Sequence, residues 1–151
     1  MNTSAPRYFE DFHAGQKFAF GNYEVTKEQI FEFANEFDPQ PHHLDEDAAD
    51  RSLLRGLSAS GWQVGAIAMR LCAEHLLNKT KAAGGAGVEE CRWLKPVRPG
   101  DILRMEVEIL DVTPHPRRPV GFVKMLWSLF NQREQVTRIV TTPIIHGRGH
   151  A

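Results

Sequence analysis

The stretch Gly61-Trp-Gln-Val-Gly-Ala-Ile-Ala-Met-Arg-Leu-Cys-Ala-Glu-His-Leu-Leu77 decides the fold. Val64, Ala66, Ile67, Ala68, Met69, Leu71, Cys72, Ala73, Leu76 and Leu77 leave few polar positions in it. A helix apolar over most of its surface is buried over most of its surface. At about 1.5 Å per residue it runs for about 25 Å, long enough to be wrapped by a sheet. Arg70, Glu74 and His75 cluster toward its C-terminal half, so that end is expected to emerge. Ser58 or Ser60 supplies the cap at its start.

Downstream, the pattern changes from helical to extended. Residues 79–87, rich in glycine and alanine, read as a flexible connector. Residues 88–93 form one candidate strand, closed by Pro96, Pro99 and Gly100. In 102–110, Leu103, Met105, Val107 and Ile109 alternate with Arg104, Glu106 and Glu108, the period of a half-buried strand. A proline-rich loop at 113–119 precedes residues 120–130, apolar on both faces and expected at the centre of the sheet. Residues 131–133 reverse the chain into a last strand at 134–142.

Upstream, residues 17–25 read as a strand kinked at Gly21-Asn22, after a leader whose Tyr8, Phe9 and Phe12 pack onto the domain. Thr26 stands three residues before Gln29, the spacing of a capping box. Ile30, Phe33, Ala34 and Phe37 then recur at helical intervals until Asp38-Pro39 stops the helix. A short helical turn is expected at 46–52. The sum is an α+β domain, one long buried helix wrapped by a curled antiparallel five-stranded sheet. It is expected to be a single domain over 1–151, with its core at about 8–143 and a flexible tail at 146–151. An open sheet leaves an edge strand that a second copy would cover, so a homodimer is expected.

With 151 residues and 42 % hydrophobic content the chain is long enough for a real core. A formal charge of −1 gives no electrostatic case for nucleic acid or a membrane surface. No apolar run approaches the ~18 residues of a membrane helix, and the N-terminus has no apolar signal core. Cys72 and Cys91 sit in apolar segments as small buried thiols, which suits a reducing, cytoplasmic setting.

The chemistry-bearing stretch is Phe37-Asp-Pro-Gln-Pro-His-His-Leu-Asp45. Its two prolines fix φ and push Asp38 and Gln40 toward extended geometry, so the loop is stiff. Four readings fit it. It can be a capped, proline-rigid turn with no chemistry. It can hold a metal, although adjacent histidines rarely ligate one ion and no further ligand spacing supports it. Ser58 or Ser60 could serve as a nucleophile beside His43, but no Gly-x-Ser-x-Gly elbow is present. Lastly, Asp38 and His43 can share acid–base work, because an ionised carboxylate and a neutral imidazole coexist near neutrality. Gly61 adds to this last reading. It opens the buried helix, where backbone N–H groups lack intrahelical partners and can bind a developing oxyanion. Water activation beside such a donor suits hydration of an α,β-unsaturated thioester.

Asp38-Pro-Gln-Pro-His-His43-Leu-Asp45, followed by Ala48-Ala49 and then Ser60-Gly61, resembles the hydratase motif of the MaoC-like dehydratases, the (R)-specific enoyl-CoA hydratase group of the hot-dog fold. That motif runs Asp-x-Asn-Pro-x-His-x-Asp, with a later His-Gly at the start of the central helix. The resemblance covers about residues 8–143 and implies Asp38 and His43 as the catalytic pair and Gly61 as the oxyanion donor. It places Gln40, Ser60 and Trp62 around the substrate. The substrate it implies is an acyl-CoA or acyl-carrier-protein thioester, handled without cofactor or metal. Gln40 replaces the motif's asparagine and Ser60 its second histidine, while Trp62 stands where a smaller apolar residue is common. Two alternatives stay open: a hot-dog acyl-CoA thioesterase and a non-catalytic acyl-thioester-binding protein. The first usually places an acid near the start of the central helix, where this chain has none. His42 is expected to face solvent or to pack, Asp45 to cap the next turn, and His13, His75, His115, His146 and His150 to lie on the surface. Arg92, Lys95 and Arg98 surround the 96–99 turn, either solvated or facing a CoA phosphate.

Overall fold

A computed structural model describes residues 4–150, of which His150 only in its backbone. The expectations for residue 151 and for the His150 side chain therefore lie outside the described residues. In chain order the elements are β1 (Lys17–Glu24), α1 (Lys27–Phe37), α2 (Pro41–Leu44), α3 (Glu46–Asp50), α4 (Gly61–His75), β2 (Ala82–Trp93), β3 (Ile102–Pro114), β4 (Val120–Phe130) and β5 (Gln135–His146). The strands form one antiparallel sheet in the order β1-β3-β4-β5-β2. As expected, β4 occupies its centre.

The alternation in β3 buries Leu103, Met105, Val107 and Ile109, which with Val123, Met125, Trp127 and Leu129 of β4 form the sheet's inner face. Against that face α4 packs Val64, Ile67, Ala68, Leu71 and Cys72, each at most 5 % exposed. Its Met69, Arg70 and Glu74 point outward. This is the long helix in a curled sheet that the apolar stretch implies. Thr26 and Gln29 form the anticipated reciprocal cap of α1 at 3.2 and 3.0 Å. That helix buries only Ile30 and Ala34, while Phe37, placed on its apolar face by spacing, is 66 % exposed.

The three largest differences from the sequence reading lie in the strands. The glycine- and alanine-rich run expected as a connector belongs to β2, which begins at Ala82. As an edge strand with β5 as its neighbour it tolerates breaks in register, and these fall around Gly84 and Gly87, whose φ of +156° and +148° suit glycine. β5 continues to His146 rather than stopping at Thr142. Pro143 sits opposite Gly85 beside one of those register shifts, where a missing N–H is tolerated. β3 likewise runs on to Pro114. In the segment expected as a tail, the Arg148 guanidinium donates to both Asp11 carboxylate oxygens at 2.7 and 2.6 Å, and its N–H faces Glu10. Phe12 is buried in the core, and Phe9 packs so closely on Gly121 that any side chain there would overlap its ring. Among the described residues no helix is long and apolar enough to cross a membrane, and no three His, Cys, Asp or Glu side chains converge to hold a metal ion.

Candidate active site

Asp38 is the first residue after α1. Its backbone N–H still donates to Ala34, but its φ and ψ of −148° and 68° leave the helical region, as the following proline demands. Pro41 then starts α2, a single turn that buries His43 to 6 % exposure. The proline turn between α1 and the single-turn α2 therefore brings Asp38 and His43 face to face. His43 Nε2 lies 3.4 Å from Asp38 Oδ2.

The other imidazole nitrogen fixes the state of the ring. His43 Nδ1 is 2.8 Å from the Ser58 carbonyl oxygen. A carbonyl only accepts, so Nδ1 carries the proton and, in the neutral ring, Nε2 is bare. Two acceptors, Nε2 and the Asp38 carboxylate, thus confront one another across a gap.

Burial pushes the Asp38 carboxyl up, but hydrogen bonding from the Ser60 hydroxyl and the Gln40 amide, with the nearby imidazoles of His43 and His42, outweighs it and holds the pKa below the ordinary carboxylate range. The Gln40 bond to Oδ1 is 2.6 Å long. Gln40, a longer amide than asparagine, closes onto the carboxylate two residues before it. Ser60 is fully buried and also caps α4 by accepting from Trp62 N–H at 3.3 Å. Its hydroxyl therefore links the start of α4 to Asp38.

Gly61, the first residue of α4, has no acceptor for its N–H among the described residues. The Trp93 indole, from the end of β2, lies on its Cα and donates Nε1–H to its carbonyl at 3.0 Å. A methyl group at position 61 would overlap that ring, so only glycine fits. Trp62 meets Trp93 edge-on, with centroids 5.3 Å apart, and is 67 % exposed at the mouth of the site.

Asp38, Gln40, His43, Ser60, Gly61 and Trp62 all line one cleft of about 410 Å³. Leu54, Val64, Trp93, Leu94 and Val97 give it apolar walls, and Lys95 stands at its side. Trp93 and the Ser58 carbonyl were not singled out by sequence. Trp93 follows an ordinary strand pattern, and every residue offers a carbonyl, so neither carries a motif. Of the neighbours, Asp45 caps α3 by accepting from Ala48 N–H at 3.0 Å, as expected. His42 packs against His43, and His75 stacks on Phe20. Arg92 pairs with Glu90, while Arg98 turns away from the cleft.

A family model described as the MaoC like domain matches residues 11–125. The chain is 37 % identical over 125 residues to the uncharacterized protein YdeM of Bacillus subtilis, covering 83 % of this chain and 88 % of that one. Among solved structures it is similar to the MaoC-like dehydratase from Rhodospirillum rubrum, at 39 % identity and a TM-score of 0.83 over 93 % of this chain and 97 % of that one. The R-hydratase PhaJ1 from Pseudomonas aeruginosa shares the fold at 24 % identity and a TM-score of 0.76, over 95 % and 88 % of the two chains.

Proposed function

The chain belongs to the MaoC-like dehydratases of the hot-dog fold, and from that membership we propose that it is an (R)-specific enoyl-thioester hydratase, or the reverse 3-hydroxyacyl dehydratase. The observation that carries this reading is the pair of facing acceptors, His43 Nε2 and Asp38 Oδ2, 3.4 Å apart in a cleft that Gly61 also lines. In the neutral ring neither can donate to the other, because the one ring proton sits on Nδ1 and faces the Ser58 carbonyl. A water between them donates one hydrogen to each and keeps a lone pair for the substrate.

The reaction follows from that arrangement. The water oxygen bonds to C3 of the 2-enoyl thioester as His43 Nε2 takes its proton, while Asp38, ionised because of its lowered pKa, orients the water and balances the imidazolium charge. The π electrons move onto C2 and the thioester oxygen, where the Gly61 N–H at the positive end of α4 stabilises the enolate. Proton return from the same site to C2 completes the addition. Water is added across the double bond with no net oxidation, so the step calls on neither a redox cofactor nor a metal.

The carrier is CoA or acyl carrier protein, and the working assembly is a homodimer paired along the exposed edge of β2. An intracellular site of action accompanies such thioesters. Trp62 and Trp93 narrow the cleft mouth and set which acyl groups enter. The test is a panel of 2-enoyl-CoA and 2-enoyl-carrier thioesters, followed by enoyl absorbance and by free thiol in parallel. Loss of enoyl absorbance without thiol release supports the hydratase. Thiol release from saturated thioesters assigns a thioesterase instead, and binding without either change assigns a non-catalytic acyl-thioester binder.

A further inference from the structure

Arg98 lies in the connection between β2 and β3 and does not line the cleft. Its guanidinium Nη1 donates to the Gly56 carbonyl at 2.7 Å and to that of Leu57 at 3.3 Å, and Nη2 donates to the Leu54 carbonyl at 2.5 Å. Three carbonyls of one loop thus converge on one planar cation. That loop is unusual. Arg55 has a φ of 54° and Gly56 a φ of 144°, and an added Cβ at Gly56 would crowd Arg98 Nη1 at 3.0 Å. Left-handed backbone at a non-glycine residue persists only where its surroundings hold it.

Arg98 is itself anchored. Its N–H donates to Asp101 Oδ2 at 3.0 Å, and its carbonyl accepts from Asp101 N–H at 3.1 Å. Asp101, 4 % exposed, also accepts from Asn131 at the β4–β5 turn. One residue earlier, the Val97 carbonyl accepts from Ala59 N–H at 2.8 Å. The guanidinium therefore grips the loop up to Leu57, and the backbone grips it again at Ala59. Between these grips lies Ser58, whose carbonyl accepts from His43 Nδ1–H. Ser60 and Gly61, the start of α4, follow directly.

We propose that Arg98 is a positioning residue for His43, holding the Ser58 carbonyl where it fixes the Nδ1–H tautomer and leaves Nε2 free to accept. This rests on the reading of Asp38 and His43 as the water-binding pair. Without the guanidinium, three carbonyls lose their common donor and the loop relaxes. The ring then escapes its single acceptor, and the proton moves to Nε2, where it donates to Asp38 Oδ2 across the existing 3.4 Å gap. Base and carboxylate then satisfy one another and no longer share a water. Arg98 thereby acts through the loop without touching substrate. A lysine keeps the charge but not the planar fork that meets three carbonyls.

The test reads the tautomer directly. Nitrogen-15 spectra of the full chain are recorded where the imidazoles are neutral, with His43 assigned by its loss in His43→Gln. The wild type is expected to show a protonated Nδ1 and a pyridine-like Nε2. In Arg98→Met the two nitrogen shifts are expected to move toward the opposite tautomer, with Arg98→Lys between them, and kcat is expected to fall more than tenfold with KM little changed. A folded Arg98→Met with unchanged His43 shifts overturns the inference. So does a wild type already in the Nε2–H form. If Arg98→Met does not fold, Arg98→Lys decides in the same way, and unfolding of both makes Arg98 a structural residue and overturns the proposal. Movement of the tautomer in a chain that hydrates no enoyl thioester supports the Arg98–His43 linkage and rejects the proposed reaction, so the two failures are distinguishable.

Discussion

Asp38 depends on its neighbours for its charge. Its pKa is lowered despite burial, so the fold favours the ionised form. The stability this contributes is fully present above the ordinary carboxyl value of about 3.9 and is lost as pH falls through the lower, folded value. Asp38→Asn is therefore expected to flatten the acid side of a melting-temperature profile, measured from about pH 7 to about pH 3; an unaltered profile would contradict the stated electrostatics. Ser60→Ala removes one of the groups holding that pKa down, together with the α4 cap, for which the usual cost is about 0.5–2 kcal/mol. Urea unfolding measures that cost. At this scale much was legible in the sequence. Residue type and position make Asp38, His43 and Gly61 candidates, the resemblance to the MaoC-like motif singles them out, and all three line one cleft. Hidden from sequence were the partners that tune them. The Ser58 carbonyl is a backbone atom, and Arg98 is distant in sequence from the loop whose carbonyls it collects.

The element that matters most is the first turn of α4, because it meets both the carboxylate, through Ser60, and the end of β2, through Trp93. Gly61 is required by packing as well as by any role as a donor, since a side chain there overlaps the Trp93 indole. Gly61→Ala should displace the indole and break its bond to the Gly61 carbonyl, lowering stability by about 1–3 kcal/mol. The same change in a Trp93→Ala background should cost less. The difference between the two, taken from urea unfolding as a double-mutant cycle, measures the contact; equal costs in both backgrounds would show that the ring imposes no constraint. The start of α4 and its burial follow from the density of apolar residues and from Ser60. The extent of β2 does not, because glycine and alanine signal flexibility locally while an edge strand, bonded to β5 alone within this sheet, accommodates them through bulges. Pro143 is accommodated within β5 in the same way, where pairing is already irregular.

At the scale of the whole molecule, the β2 edge carries exposed Val88 and Trp93, and beside it stand exposed Trp62 and Met69 of α4. An unpaired edge flanked by large apolar side chains is unstable against pairing with another edge. The proposed homodimer predicts a solution mass of twice the 17.1 kDa chain, and Val88→Glu is expected to shift it toward the monomer by light scattering. A wild type that is monomeric at micromolar concentration would remove this part of the account. The fold class was readable because one helix needs a wrap and the strands that follow alternate clearly. A homodimer is expected from sequence because an open sheet must leave an edge, whereas the identity of β2 as an edge strand emerges only from the sheet order, which no local pattern reveals.

The central claim is that Asp38 and His43 jointly activate one water. Its most direct test is the rate of crotonyl-CoA hydration, followed by loss of enoyl absorbance, for the wild type, Asp38→Asn and His43→Gln, each shown to be folded by circular dichroism. The account predicts turnover by the wild type and losses of about 10²–10⁴-fold in each variant. Wild-type turnover that persists undiminished in a folded Asp38→Asn or His43→Gln chain would contradict it.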